Sequence, residues 1–200
     1  ALRCYNKMQN EGFFPDAATF ICVLKACGIT QAIDLGNRAH CEIVRKGLLG
    51  EDIMLCTALV DMYAKCKLLA KAQEVLNELP IQNVASWNAL IAGYAQQGQG
   101  QEALTCFEQM QNEGLAPDEV TFVCLLNACG KTRDIDKGKQ IHDEIASRGL
   151  LEKDIALGNG LVDMYAKCGM LEKAQQMLEE LPVQNVVSWS ALIAGYAQEG

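Results

Sequence analysis

The segment GLVDMYAKCGMLEKAQQMLEELP, residues 160–182, decides the fold. Leu161, Val162, Tyr165 and Ala166 recur at helical spacing, as do Leu171, Ala174, Met177, Leu178 and Leu181, which predicts two amphipathic helices in succession. Gly169 stands between them, where a left-handed residue can close the first helix, and Pro182 marks the end of the second. The segment is a helical hairpin. Such a hairpin exposes apolar surface on both flanks and needs neighbours stacked on it.

Those neighbours are written into the same chain. VASWNALIAGYAQQG at 84–98 returns as VVSWSALIAGYAQEG at 186–200. The offset of 102 residues between Trp87 and Trp189 also links Pro15 to Pro117, His40 to His142, and DMYAKC at 61–66 to DMYAKC at 163–168. More than half of the aligned positions match without a gap, so the chain is nearly two copies of one long unit. That unit divides into hairpins at 84–118, with Gly98 between the helices and Pro117 after them, at 119–154, divided near Gly130, and at 155–185. Their lengths are 35, 36 and 31 residues. No strand pattern competes. The expected fold is all-α, a right-handed α-solenoid of stacked helical hairpins forming a single repeat domain over 1–200. Residues 1–16 read as the tail of a hairpin and 186–200 as the first helix of another, so the chain reads as a piece of a longer array with fraying ends.

Half of the 200 residues are apolar, enough to bury a core, which argues against disorder. No run of eighteen uncharged apolar residues suggests a membrane span. The opening ALRCYNKMQNEG lacks the basic patch, apolar run and cleavage site of a secretory signal. Of the ten cysteines, Cys4, Cys22, Cys27 and Cys66 recur as Cys106, Cys124, Cys129 and Cys168. Recurrence inside apolar helices reads as small buried thiols and not as a disulfide framework.

Enzymatic motifs are weak. His40 with Glu42, and His142 with Glu144, give the H-x-E half of a zinc deaminase signature, but its P-C-x-x-C half is missing. The histidines read as parts of second helices. No Walker loop, dinucleotide fingerprint or nucleophile elbow occurs, and GNGLVDM at 158–164 is a helix start. The chain reads as a binding module and not an enzyme, with no cofactor and no metal.

Hairpins of 35, 36 and 31 residues in that order resemble the P, L and S motifs of plant-type pentatricopeptide repeat proteins, the PLS class. The letters agree: NVASWNALIAGYAQQG resembles the opening of a P motif, MQNEGLAPDEVTF the P-to-L junction, GKQIHDEI an L second helix and LVDMYAKCG an S first helix. In this frame the chain reads as a partial P (1–16), L (17–52), S (53–83), P (84–118), L (119–154), S (155–185) and a partial P (186–200). Trp87, Leu90, Tyr94, Ala103 and Phe107 also fit tetratricopeptide repeats, hairpins of about 34 residues. That rival would place a peptide or protein partner in the groove. However, Ile91 stands where its pattern wants Gly, Met110 where it wants Ala, and the unequal lengths break its strict period.

The resemblance implies single-stranded RNA as the partner, read one base per repeat by two or three side chains. In this family the fifth and last residues of a motif discriminate the base and the second helps to sandwich it. Carried over, Thr57 with Asn83 implies adenine, Asn88 with Asp118 implies uracil, and Asn159 with Asn185 implies a pyrimidine, cytosine favoured. Ser190 implies a purine, and Asp16 suits guanine or uracil. The fifth residues of the L motifs, Ile21 and Val123, offer no hydrogen bond to a base, so Asp52 and Asp154 lack a competent partner there. The implied target is 5′-(G/U)-N-A-U-N-Y-R-3′. At second positions, Met54, Ala85, Ala156 and Val187 either sandwich bases or pack helix starts. The fifth-position residues could also be ordinary solvent-facing polarity, but between otherwise matching copies Thr57 becomes Asn159 and Asn88 becomes Ser190. A reading role permits such change.

A net charge of −8 is the wrong sign for phosphate neutralisation. The acids, however, gather on second helices, as in EEL at 179–181, while residues 86–98 carry no charge. Lys65, Lys131 and Lys167 occupy thirteenth positions, where they serve either phosphates, weakly, or the helix dipole. The resemblance further implies a specificity factor for organellar RNA processing such as C-to-U editing, in a mitochondrion or chloroplast, with multiple organellar RNA editing factor proteins as partners at the L motifs.

Overall fold

A computed structural model describes residues 1–50, 52–152 and 154–199. Among them lie twelve helices and no strand. The chain divides into two compact units, Ala1–Gly93 and Tyr94–Gly200.

The first unit holds α1 (Leu2–Asn10), α2 (Ala17–Thr30), α3 (Ile33–Arg45), α4 (Ile53–Lys65), α5 (Leu69–Glu78) and most of α6 (Val84–Gln96). Helix α2 packs on α4, α3 lies against both, and α5 folds back on α4. Phe20 and Leu24 of α2, Leu55, Leu59 and Met62 of α4, and Leu76 of α5 are sealed between them. Packing runs from first helix to first helix, with the second helices outside.

The second unit repeats the plan with α7 (Gly100–Asn112), α8 (Glu119–Thr132), α9 (Ile135–Ser147), α10 (Ile155–Lys167), α11 (Leu171–Glu180) and α12 (Val186–Glu199). Helices α8, α10 and α12 pack in sequence, with α9 against α8 and α10, and α11 against α10 and α12. Phe122, Leu125 and Leu126 of α8 and Leu157, Leu161 and Met164 of α10 are buried where these two helices pack.

The hairpin turns follow two chemistries. Gly169 adopts φ 76° and closes the 160–182 hairpin as its sequence requires, yet Lys67 holds the same left-handed place in the earlier copy at φ 63°. The 119–154 hairpin divides near Gly130 but not at it. Helix α8 continues to Thr132 and turns at Arg133, φ 55°. Gly130 is buried inside the helix because α10 comes close: a Cβ there would stand 3.4 Å from Met164 Cα and 3.2 Å from Lys167 Cδ. The glycine serves an interhelical approach and not a turn. Gly28 repeats this against Met62 and Lys65, so adjacent first helices run in the same direction with their C-terminal ends together.

All ten cysteines are thiols. Cys27, Cys56, Cys106 and Cys129 are buried, but Cys4 and Cys22 are exposed, contrary to the packing role expected for them. Their copies Cys106 and Cys124 sit on α7 and α8, which pack on each other. Burial pushes the Cys106 and Cys129 thiols up to about 12 and that of Cys124 to about 11.

Candidate nucleic-acid interface

Each first helix begins immediately after an Asp or Asn that caps it. Asp16 Oδ1 accepts from the Thr19 N–H at 2.8 Å, and Asp52 Oδ1 from Met54 at 2.8 Å and Leu55 at 3.2 Å. Asp118 accepts from Thr121 at 2.9 Å in a reciprocal capping box, and Asp154 from Ala156 at 2.6 Å. Asn83 Oδ1 accepts from Ser86 at 3.0 Å, and Asn185 Oδ1 from Val187 at 2.8 Å and Ser188 at 3.1 Å. A helix N-terminus leaves N–H groups without intrahelical partners, and a short side chain with an oxygen satisfies them. The expected last-position residues are therefore all helix starters. This includes Asp52 and Asp154, whose carboxylates have a structural task whatever faces Ile21 and Val123. The cap signal was available in the sequence as Asx directly before an apolar-periodic run.

The fifth positions lie one turn further in. Thr57 Oγ1 is 2.9 Å from Ile53 O, 3.0 Å from Ser86 Oγ and 3.2 Å from Asn83 Nδ2, so it touches both the cap of α6 and the first turn of that helix. Asn88 is 7% exposed. Asn159 is half-buried, and its Oδ1 is enclosed without a hydrogen-bond donor. None of the three is an ordinary solvent-facing polar residue. Ser190, on α12, is exposed, and Ile21 and Val123 are half-buried. At second positions Met54, Ala85, Ala156 and Val187 are all exposed, so none packs into the core at its helix start. Met54 and Val187 are 66% and 62% accessible and offer the larger apolar surfaces.

The lysines are engaged. Lys65 pairs with Asp61 at 2.7 Å and Lys167 with Asp163 at 2.6 Å, each one turn apart on its own helix. Lys131 Nζ donates to Ala95 O at 3.0 Å and Gln96 O at 3.1 Å, the last carbonyls of α6, where a cation offsets the negative end of the helix dipole.

The H-x-E histidines bond to tyrosines of the following first helix. His40 Nδ1 lies 2.9 Å from Tyr63 OH, which donates to Asn37 Oδ1 at 3.0 Å, and His142 Nδ1 lies 2.8 Å from Tyr165 OH. Burial lowers both histidine pKa values and raises Tyr63 to about 12. No group of three His, Cys, Asp or Glu fit to hold a metal occurs among the described residues. No helix among them is long and apolar enough to cross a membrane.

Comparison with known proteins places this geometry. The pattern of the PPR repeat family matches residues 82–150, and that of the single PPR repeat matches 55–84, 159–186 and 187–200. Similar full-length proteins of Arabidopsis thaliana include the pentatricopeptide repeat-containing protein At5g16860, 37% identical over 100% of this chain and 23% of its own length. Two others are the chloroplastic At4g18520, 34% identical over 100% of this chain and 32% of its own, and the mitochondrial At3g09040, 36% identical over 100% and 19%. The chain thus spans no more than about a third of the length of these relatives. Among solved structures, pentatricopeptide repeat protein PPR10 from maize superposes with a TM-score of 0.70 at 23% identity, covering 96% of this chain and 28% of that one. PPR10 in complex with an 18-nt psaJ RNA element gives a TM-score of 0.70 at 25% identity, over 88% and 26%. The fold is that of an α-solenoid of helical hairpins, and the chain belongs to the pentatricopeptide repeat family.

Proposed function

We propose that the chain binds single-stranded RNA in a sequence-specific way, one base per repeat, with the bases read by side chains at the N-terminal ends of the first helices. The observation that carries this is the meeting of Thr57 and Asn83, a fifth-position and a last-position residue, in one hydrogen-bonded contact. Hydroxyl and amide together can match the donors and acceptors of an unstacked base edge. The RNA complex of the structurally similar PPR10 supports the class of ligand.

In this reading Thr57 with Asn83 selects adenine, Asn88 with Asp118 uracil, and Asn159 with Asn185 a pyrimidine. The target is 5′-(G/U)-N-A-U-N-Y-R-3′. The exposed Met54 and Val187 press against base faces. The repeats follow the P-L-S order with bounds at 17, 53, 84, 119, 155 and 186, and the chain serves a specificity factor that positions organellar RNA for processing such as C-to-U editing. The L motifs, with Ile21 and Val123, meet multiple organellar RNA editing factor proteins. Chloroplastic and mitochondrial relatives support the compartment.

The test transplants one pair. Replacing Asn88→Thr together with Asp118→Asn reproduces the Thr57/Asn83 combination one repeat later. Binding of RNAs varied at the fourth nucleotide should then move from U to A, with the other positions unchanged. An unchanged preference, or a loss spread evenly over all sequences, would falsify base reading and favour a groove that takes a peptide.

A further inference from the structure

The two ends of the chain carry complementary parts of one hairpin. Residues 186–200 repeat 84–98, and ALRCYNKMQNEGFFPD at 1–16 repeats ALTCFEQMQNEGLAPD at 103–118, with ten of the sixteen letters the same. Residues 99–102 join the two stretches inside the chain and are the one part of that hairpin that neither end supplies. The last helix of one molecule and the first of another thus hold the hairpin between them, short of about one helical turn.

Both faces are open. Trp189, Ile193 and Tyr196 of α12 are exposed and, with Leu178 of α11 and Leu192, line a groove of 330 Å³. Ile193 is 64% exposed where its copy Ile91 is 0%, and Leu76, Trp87 and Leu90, the copies of Leu178, Trp189 and Leu192, are sealed. Helices α6 and α12 follow closely similar hairpins and differ in what comes next in the chain. Helix α1 shows the converse. Cys4 is exposed and Met8 half-buried, one turn apart on one face, whereas their copies Cys106 and Met110 on α7 are buried.

The second unit shows what the end of such a first helix accepts. Burial and then the nearby Cys106 of α7 raise the pKa of Tyr94, and Lys131 of α8 donates to the Ala95 and Gln96 carbonyls. By the offset of 102, Cys4 of a second molecule falls at Tyr196, and Ile29, exposed in place of Lys131, falls at the carbonyls of Ala197 and Gln198. Residues 186–198 are uncharged and 1–10 carry only Arg3 and Lys7, so the net charge of −8 sets no like charges against each other here.

We propose that copies of this chain join end to end, with α1 and α2 of one molecule on α12 of the next, in the register that α7 and α8 hold to the last turn of α6. The two faces differ, so the contact is head-to-tail and leaves a free face at each end for a further copy. A solenoid end without a polar cap favours such stacking. Joining also gives Ser190, exposed where its copy Asn88 is buried, the last-position residue that its own repeat lacks, Asp16 of the second molecule. The association itself does not rest on RNA binding.

Sedimentation of the purified, RNA-free chain over a concentration series should show a mass that rises above 21.8 kDa and passes that of a dimer. Ile193→Glu on one face and Cys4→Glu on the other should each leave a monomer when alone. Their equimolar mixture should form a dimer that grows no further, since one intact face of each kind remains, and that dimer shows both variants to be folded. Ile29→Lys, which restores the counterpart of Lys131, should strengthen association about tenfold. A chain that stays monomeric to its solubility limit overturns the proposal. So does a Cys4→Glu variant that still associates alone, as a symmetric pairing of two α12 faces would, or an Ile193→Glu variant that associates like the unaltered chain. A mixture no heavier than its parts, with both variants folded by circular dichroism, does the same. Should either glutamate unfold its helix, Ile29→Lys decides, and unchanged association then overturns the proposal. None of these outcomes bears on base reading, which the Asn88/Asp118 transplant tests.

Discussion

His142 Nδ1 and Tyr165 OH lie 2.8 Å apart with their rings edge to face at 77°, and His40 with Tyr63 repeats the contact 102 residues earlier at 2.9 Å and 71°. Each links a second helix to the next first helix. Each histidine is held below its ordinary 6.5, first by burial and then by a lysine, Lys173 or Lys71.

The sign of the pH effect follows from that lowering. The unfolded chain binds protons at these sites before the folded one does, so stability is fully present above about 6.5 and lost as pH falls through the lower folded values. Denaturant midpoints should therefore drop between pH 7 and pH 5. In a His40→Asn, His142→Asn variant the decline should be shallower. Equal slopes in the two proteins would show that the histidines do not carry it.

Asp118 closes a capping box with Thr121, its Oδ1 taking the Thr121 N–H and hydroxyl while Thr121 Oγ1 takes the Asp118 N–H. Replacing Asp118→Ala should cost about 1 kcal/mol of stability, whereas Asp118→Asn should cost only a few tenths. Chemical denaturation of the two variants side by side measures the difference. Identical midpoints would deny the cap its energetic weight.

Trp87 is 2% exposed and donates from Nε1 to Gln82 Oε1 at 3.1 Å, whereas its copy Trp189 is 49% exposed. Trp87→Ala should cost about 3 to 5 kcal/mol as a core truncation, and Trp189→Ala a small fraction of that. Melting curves of both single variants check the asymmetry.

Alkylation should follow burial. Cys4, Cys22 and Cys41 are exposed and should react with iodoacetamide at neutral pH within minutes. The buried Cys27, Cys106 and Cys129, whose thiolates burial disfavours, should stay protected until the chain unfolds. Peptide mass spectrometry after a short pulse reads this directly.

RNA affinity should depend weakly on salt. Lys65 and Lys167 already hold Asp61 and Asp163, and Lys131 holds carbonyls. With three such lysines at most, and about 0.7 per phosphate neutralised on a single strand, the log–log slope should stay shallower than about 2 in magnitude. A steeper slope would point to cations elsewhere on the chain.

Much of the fold was legible because periodicity, offset and terminators agree: 160–182 forms α10's end and α11, joined at Gly169. Gly130 marked its turn only approximately, because a glycine needed for close helix approach carries the same letter as one needed for a turn; the αL residue that closes α8 is Arg133, as Gln31 closes α2. At the interface, sequence singled out Thr57 and Asn83 but not Ser86. A buried serine bridging two helices has no local signature, since its partner lies 29 residues away. The capping role of Asp52 and Asp154 was legible and was overshadowed by the lack of a polar fifth residue beside them.

The caps also set a vocabulary. Because Asp16, Asp52, Asn83, Asp118, Asp154 and Asn185 each cap the helix that follows, only Asn, Asp, Ser and Thr fit there without orphaning amide protons. Under the proposed reading, those four letters can be exchanged there at little cost in stability, while most other choices weaken the scaffold first.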